Sequence, residues 1–291
     1  MTTIRPRRSV LYMPGSNVRA LEKARSLPAD ALILDLEDAV APDAKETARL
    51  QVCDAVKARG FGKREIIVRI NALSTPWGET DLKAAADAQP DAILVPKIST
   101  PADLHAIEER LAQRHHLKSI AVWAMVETPA AILNIAAIAA VGGRLSAFVM
   151  GTNDLIKEIR GVHTQDRINL AASLSLSVLA ARANGLAVID GVYNDIANAE
   201  GFKASCEQAR AFGFDGKTLI HPAQVEPCNA VFAPSADEVE AARKVIAAFE
   251  LPENRGKGAI KLDGRMVELL HAEIARGTVA MADAIAELER G

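Results

Sequence analysis

Short apolar runs recur along the chain, each separated from the next by enough residues for one helix. The runs are "RSVLYM" (8–13), "ALILDL" (31–36), "EIIVRI" (65–70), "AILVPK" (92–97), "SIAVWAMV" (119–126), "LSAFVM" (145–150), "LAVID" (186–190) and "KTLIH" (217–221). Most are continuous rather than alternating, which is the pattern of parallel strands covered on both faces. The segments between them read as helices. Ser16 is placed to cap a helix through "NVRALEKARSL" that Pro28 stops, and Thr128 to cap another, with Pro129 at its first position and Gly142-Gly143 beyond its end. Residues 101–114, 165–184 and 195–212 read the same way.

Eight strands, each followed by a helix, predict an α/β fold of the (β/α)₈ TIM-barrel type over residues 1–232. An open doubly wound sheet is the structural alternative. After residue 222 the pattern changes. "SADEVEAARKVIAAFE" (235–250) predicts an amphipathic helix, "LPENRGKGAIKLDGR" a polar linker, and roughly 265–289 a last helix. Residues 233–291 thus form a helical extension, an arm for packing or a lid.

Composition narrows the function. The 291 residues are 49% hydrophobic and 24% charged, ordinary for a chain with a full core. A net charge of −3 and only 4% aromatic residues argue against a nucleic-acid partner. Cys53, Cys206 and Cys228 are far apart and form no zinc or CxxC spacing, which suits a reducing cytoplasm. The start "MTTIRPRRSV" lacks the apolar stretch of a signal peptide, and no apolar run is long enough to span a bilayer.

Reacting groups of such barrels gather at the C-terminal ends of the strands. Those ends carry Tyr12, then Asp35, Glu37 and Asp38, then Arg69 and Asn71, Lys97, Glu127, Asp154, Asp190 and His221. Glu127 and Asp154 follow neighbouring strands. Either they share a hard divalent cation such as Mg²⁺, or each caps the helix behind it. In "LDLEDAV" the acids would repel one another if buried together. Glu37 and Asp38 are read as holding metal-bound waters rather than capping the next helix; Asp35 is left between the two roles. Arg69 clamps a substrate carboxylate, or pairs with Glu37 or Asp38, or does both. For Lys97 the ion pair is the favoured reading. Arg19 and Lys23, four apart, with Arg5, Arg7 and Arg8, make the start locally basic; a solvated face is favoured over phosphate binding. His115-His116 lies in a surface-like segment, and the "HP" at His221 reads as a turn. No Ser/His/Asp triad, GxSxG elbow, Walker loop or GxGxxG fingerprint occurs.

Several motifs occur in a telling order: "RSVLYMPGSNVRALEKA", "LILDLEDAVAPDAKETAR", "VRINAL", "VPKI", "VETP", "MGTNDL", "IDGVY", "GKTLIHPAQV" and "GKGAIKLDGRMVE". As a set they resemble the citrate lyase β-subunit-like proteins of the HpcH/HpaI aldolase superfamily, which include malyl-CoA and citramalyl-CoA lyases. The resemblance implies a TIM barrel with Mg²⁺ held by Glu127 and Asp154. It implies substrate contacts from Arg69 and from Gly151, Thr152 and Asn153, with Glu37 and Asp38 in the catalytic surroundings. It implies a CoA thioester running past Tyr12, Pro14, Arg19 and Lys23. It also implies a homotrimer or hexamer whose C-terminal arm covers a neighbour's site.

The reaction expected on that resemblance is Mg²⁺-dependent C–C cleavage. A 3-hydroxyacyl-CoA such as malyl-CoA or citramalyl-CoA would give an acyl-CoA and a 2-oxo acid: glyoxylate, pyruvate or oxaloacetate. One position departs from the pattern. Relatives with lyase activity carry "MID" or "MVD" in the arm, whose aspartate moves a proton at the α-carbon; here "GRMVELLH" puts Glu268 there. The longer stem shifts the acid by a distance that matters for proton transfer. Two other outcomes therefore stay open: an acyl-CoA thioesterase on the same site, and a non-catalytic acyl-CoA-binding or lyase-complex subunit.

Overall fold

In the computed structural model, which describes residues 4–113 and 120–290, eight parallel strands close into a barrel in sequence order. The strands are β1 (Ser9–Pro14), β2 (Ala31–Asp35), β3 (Glu65–Arg69), β4 (Ala92–Val95), β5 (Ala121–Val126), β6 (Leu145–Met150), β7 (Ala187–Asp190) and β8 (Gly216–Leu219). Closure comes from β8 pairing with β1, Ser9 facing Lys217. This excludes the open sheet. Helices α1 (Val18–Ala24), α2 (Lys45–Ala58), α3 (Gly78–Ala88) and α4 (Pro101–Ala112) follow the first four strands. The fifth connection holds two short helices, α5 (Pro129–Leu133) and α6 (Ile135–Ala139), split at Asn134. Then come α7 (Thr152–Glu158), α8 (Ala171–Ala183), α9 (Ala199–Phe212) and α10 (Val225–Phe232). His115-His116 and the first residue of the fifth apolar run lie outside the described residues.

Strand pleating sorts the side chains. Every second residue points inward, so Val10, Ala31, Ile33, Ile67, Leu94, Trp123, Met125, Ala147, Val149 and Ile189 form one buried interior, with Tyr12 packed against it. Carried one step further toward the C-terminal ends, the same parity selects Asp35, Arg69, Glu127 and Gly151. The polar floor of the barrel mouth is therefore the next layer of the hydrophobic core. One expected helix cap is corrected and another holds. The cap of α1 is Asn17, whose side chain accepts from the Ala20 N–H, and not Ser16. Thr128 does cap α5, accepting from the Ala131 N–H.

At the opposite end of the barrel Arg7 and Arg8 are spent on structure, not on a solvated face, whereas Arg19 and Lys23 are exposed as expected. Arg8 is buried and forks onto Asp30, Nε to Oδ2 and Nη2 to Oδ1, both at 2.9 Å. Arg7 makes the same fork to Glu65 and stacks over the Trp123 ring at 5.3 Å.

The chain divides into two compact units, one spanning Arg7–Ala230 and the other built on the segment from Val231 onward. The second contains α11 (Ala236–Glu250), a hairpin of β9 (Ala259–Leu262) and β10 (Arg265–Glu268), and α12 (Leu269–Glu289). Its core joins Ala248, Phe249, Ile260 and Ala272. The stretch expected to be linker is thus partly a hairpin. Its turn is Asp263-Gly264, both at positive φ (49° and 81°), the pair that tight hairpin turns favour. Among the described residues no helix is long and apolar enough to cross a membrane.

Candidate active site

Arg69 organises the mouth. Its Nε and Nη2 each lie 2.6 Å from an Asp35 oxygen in a buried two-bond fork. Asp35, not Glu37 or Asp38, is thus its principal partner. Asp35 also accepts from the Glu37 and Ala39 N–H groups, fixing the turn after β2. Neither Asp35 nor Asp38 caps the helix beyond, whose entry has no side-chain cap. The Arg69 fork leaves the outer N–H of Nη2 and both N–H groups of Nη1, and Nη1 faces the neighbouring acids. It donates to Asp38 Oδ2 at 3.3 Å and lies 2.9 Å from Glu37 Oε2. That Glu37 oxygen is off the N–H direction and has no hydrogen bond. The guanidinium also stacks over the Tyr12 ring at 4.7 Å.

One guanidinium cannot neutralise three carboxylates. Burial pushes Glu37 up to about 8; the Arg69 charge opposes the rise, and Asp38, Glu127 and Asp35 add to it. Asp38 is the water-exposed member, its side chain 72% accessible. Asn71, expected at the mouth, is instead buried behind β3, accepting from Lys45 Nζ at 2.7 Å and donating to Asp81.

Glu127 and Asp154 converge on a single ammonium group. Lys97 Nζ lies 2.5 Å from Asp154 Oδ1 and 3.7 Å from Glu127 Oε1. The Lys97 backbone, at φ 57°, donates its N–H to the same Glu127 oxygen at 2.8 Å. The favoured ion-pair reading of Lys97 therefore holds, and it locates both acids around one point. Burial raises the Glu127 carboxyl above its usual value, with Lys97 opposing. Gly151 makes room for it: a Cβ there would sit 2.4 Å from Glu127 Cβ and 2.7 Å from its Oε2.

The donor set fits a hard divalent cation. Five carboxylates, Asp35, Glu37, Asp38, Glu127 and Asp154, face Arg69, Lys97 and the nearby Lys45, whose ammonium is held by the Leu36 and Glu37 carbonyls. With Glu37 protonated near neutral pH, the surplus is one negative charge. Among the described residues no cluster of three or more His, Cys, Asp or Glu could hold a metal. Two oxygen donors with positions left for water and substrate suit Mg²⁺ better than zinc.

A cavity of about 300 Å³ opens here, lined by Tyr12, Asp35, Asp38, Arg69, Gly151, Thr152, Asn153 and Asp154 among others. Pro14 sits half-buried at the end of β1; Arg19 and Lys23 are exposed on α1 and do not line the cavity. Glu268 belongs to the second unit. It is exposed and caps α12, accepting from the His271 N–H while its own N–H donates to His271 Nδ1 at 3.0 Å.

Two other strand-end residues are not among those that line the mouth cavity. Asp190 has the parity opposite to the interior Ile189, and is fully buried between Lys217 Nζ (2.6 Å) and Arg167 Nη1 (2.8 Å). His221 is exposed and caps a turn by accepting from the Ala223 N–H, as its "HP" context suggests.

Comparison with known proteins identifies the family. The family model described as HpcH/HpaI aldolase/citrate lyase matches residues 8–222. The chain is 52% identical over 281 residues to a (3S)-malyl-CoA thioesterase of Cereibacter sphaeroides, covering 97% of this chain and 96% of that protein. It is 35% identical over 269 residues to the citrate lyase subunit beta of Escherichia coli, covering 91% and 89%. Among solved structures it resembles the protein CitE of Mycobacterium tuberculosis in complex with magnesium, acetoacetate and coenzyme A. There the TM-score is 0.77 and the identity 29%, over 94% of this chain and 97% of that one.

These relatives correct the expected reaction. The half-identical, nearly full-length relative is named a thioesterase, whereas the lyase subunit is far more distant. Carbon–carbon cleavage is therefore withdrawn as the main reading, and the thioesterase alternative takes its place.

Proposed function

The chain belongs to the HpcH/HpaI aldolase/citrate lyase family, and on that premise we propose that it is a Mg²⁺-dependent thioesterase acting on a 3-hydroxyacyl-CoA, with (3S)-malyl-CoA as substrate. The observation that carries this reading is the 52% identity to a thioesterase of that name over 97% of the chain. The paired Glu127 and Asp154 support it.

A Mg²⁺ ion held by Glu127 and Asp154 would supply Lewis acidity and a fixed grip on the hydroxy-carboxylate end of the substrate. The chain's own groups do the rest. Arg69, pinned by Asp35 through Nε and one N–H of Nη2, keeps its outer Nη1 and Nη2 N–H groups for substrate oxygens and supplies orientation and charge there. Thr152 and Asn153, at the start of α7, border the same cavity beside Gly151. Asp38, in contact with water, takes a proton from the attacking water molecule. The water oxygen adds to the thioester carbonyl carbon, the C–S bond breaks, and the sulfur leaves as CoA thiolate. Glu37 carries a proton near neutral pH and is matched to protonate a thiolate, whose usual value is about 8.5. The CoA chain runs out past Tyr12 and Pro14, with its phosphates near the exposed Arg19 and Lys23.

The direct test supplies (3S)-malyl-CoA with Mg²⁺ and follows both halves of the molecule. Free thiol and malate are expected in equal amounts, with no glyoxylate. Acetyl-CoA and glyoxylate without free thiol would overturn the proposal. A variant probes the metal grip. Gly151→Ala pushes a methyl group into Glu127 and is expected to weaken Mg²⁺ binding by roughly 10–100-fold in calorimetry, the range seen when groups supporting a ligand are disturbed. An affinity within twofold of wild type would show that Glu127 does not depend on Gly151.

A further inference from the structure

A second cavity, of about 420 Å³, lies beside the first and shares four of its lining residues: Thr152, Asn153, Val192 and Asn194. Its other walls combine the apolar Ile156 and Leu170 with polar and charged groups, Arg167 and Asp195 among them. No step of the proposed reaction uses it. The two spaces meet at a clasp between loops. Asn153, at the start of α7, and Asn194, just after β7, exchange side-chain hydrogen bonds in both directions. Asn153 Nδ2 donates to Asn194 Oδ1 at 3.2 Å, and Asn194 Nδ2 donates to Asn153 Oδ1 at 2.8 Å. The loops are held close beneath the clasp by Gly191, where a Cβ would stand 2.4 Å from Thr152 Oγ1.

We propose that the Asn153–Asn194 amide pair is a specificity partition. Closed, it limits the reaction cavity to an unbranched hydroxy-diacid half; opened, it lets an alkyl substituent of that half enter the second cavity. This rests on the reading that the hydroxy-acid half binds at Glu127 and Asp154. The physical grounds are three. The pair is reciprocal, so losing either amide breaks both bonds. Both residues are exposed, so breaking them costs little stability, since hydrogen bonds made in water contribute least. And the space behind carries an apolar patch of Ile156, Leu170 and Val192 that can seat an alkyl group, while the charge of Arg167 in the same wall is taken up by Asp190.

The test measures binding, not turnover. Dissociation constants for malate, 2-methylmalate and 2-ethylmalate are determined by calorimetry with Mg²⁺ present, in wild type, Asn194→Ala, Asn153→Ala and the double variant. Wild type is expected to prefer malate to the ethyl compound by at least about tenfold, the scale of one or two methylenes against a fixed wall. Each single variant is expected to lose at least about tenfold of that preference. The double variant should lose no more than either single one, because the pair acts as a unit. Equal wild-type affinity across the series would overturn the inference, as would an unchanged preference in the variants or no binding of any member. The two readings fail separately. If the series behaves as expected but (3S)-malyl-CoA yields no free thiol, hydrolysis is wrong and the partition stands. If thiol is released and the series is flat, only the partition falls.

Discussion

Glu127→Gln is expected to abolish Mg²⁺-dependent release of CoA, with kcat/KM lower by at least about a thousandfold, near 4 kcal/mol of transition-state stabilisation. Asp154→Asn is expected to do the same. Each amide is nearly isosteric with the acid it replaces, so the loss isolates charge and donor strength from shape. The two variants should differ in stability. Glu127 is 2% exposed and its carboxyl is held above its usual value, chiefly by burial. A raised carboxylate works against the fold once it ionises: the stability it contributes is present at acid pH and lost as pH rises through the folded value. Without metal at neutral pH, Glu127→Gln should therefore melt at or above the wild-type temperature while being inactive. Asp154, on the half-exposed rim beside Lys97, should give no such gain. Calorimetric titration with Mg²⁺ completes the test. Tight Mg²⁺ binding by both variants, with turnover near wild type, would remove the metal assignment.

Much of this site is visible in the sequence through strand parity. In "AVWAMVE" the inward positions are Trp123, Met125 and then Glu127, so the acid is the next residue of an interior stripe. The same count along "ALILD" gives Ala31, Ile33 and Asp35, and it would have chosen Asp35 as the partner of Arg69 over Glu37 and Asp38, which lie past the strand end. In "AVID" it places Ile189 inside and Asp190 outside, so the expectation that Asp190 joins the mouth neglected the pleat. Other errors have no local signal. Arg7 and Arg8 look like a solvated basic face because their partners, Glu65 and Asp30, arrive from other strand-helix units. The reaction itself was the least legible feature. Hydrolysis and C–C cleavage both ask for a metal, an orienting arginine and a mobile proton, so the residues that serve one serve the other. On the resemblance, only Glu268 in place of aspartate was expected to distinguish them, through about one carbon–carbon bond length.

Asp190 carries the largest expected effect on stability. Its carboxylate is fully buried, with Lys217 and Arg167 as partners and Lys217 itself without solvent exposure. Burial alone would raise its carboxyl, but the charges and hydrogen bonds of Lys217 and Arg167 outweigh that, and the net shift is downward. Asp190→Asn leaves the buried ammonium without its counter-charge and is expected to cost about 3–5 kcal/mol, the range for breaking a buried ion pair from one side. The pH dependence follows from the sign. A depressed carboxylate contributes stability that is complete above its unfolded value of about 4 and is lost as pH falls through the folded value. Denaturant titrations at a series of acid pH values should show wild type losing stability below about pH 4, with the Asn variant weaker at neutral pH but flatter over that interval. A companion variant separates charge from packing. Asp190→Leu combined with Lys217→Met removes both charges, and should recover a large part of the loss because a paired apolar replacement leaves no ion stranded. Arg167 would still lack its carboxylate, so full recovery is not expected. If Asp190→Asn unfolds at wild-type denaturant concentrations, or the double replacement is as damaged as the single one, the triad is not what ties β7 and β8 together.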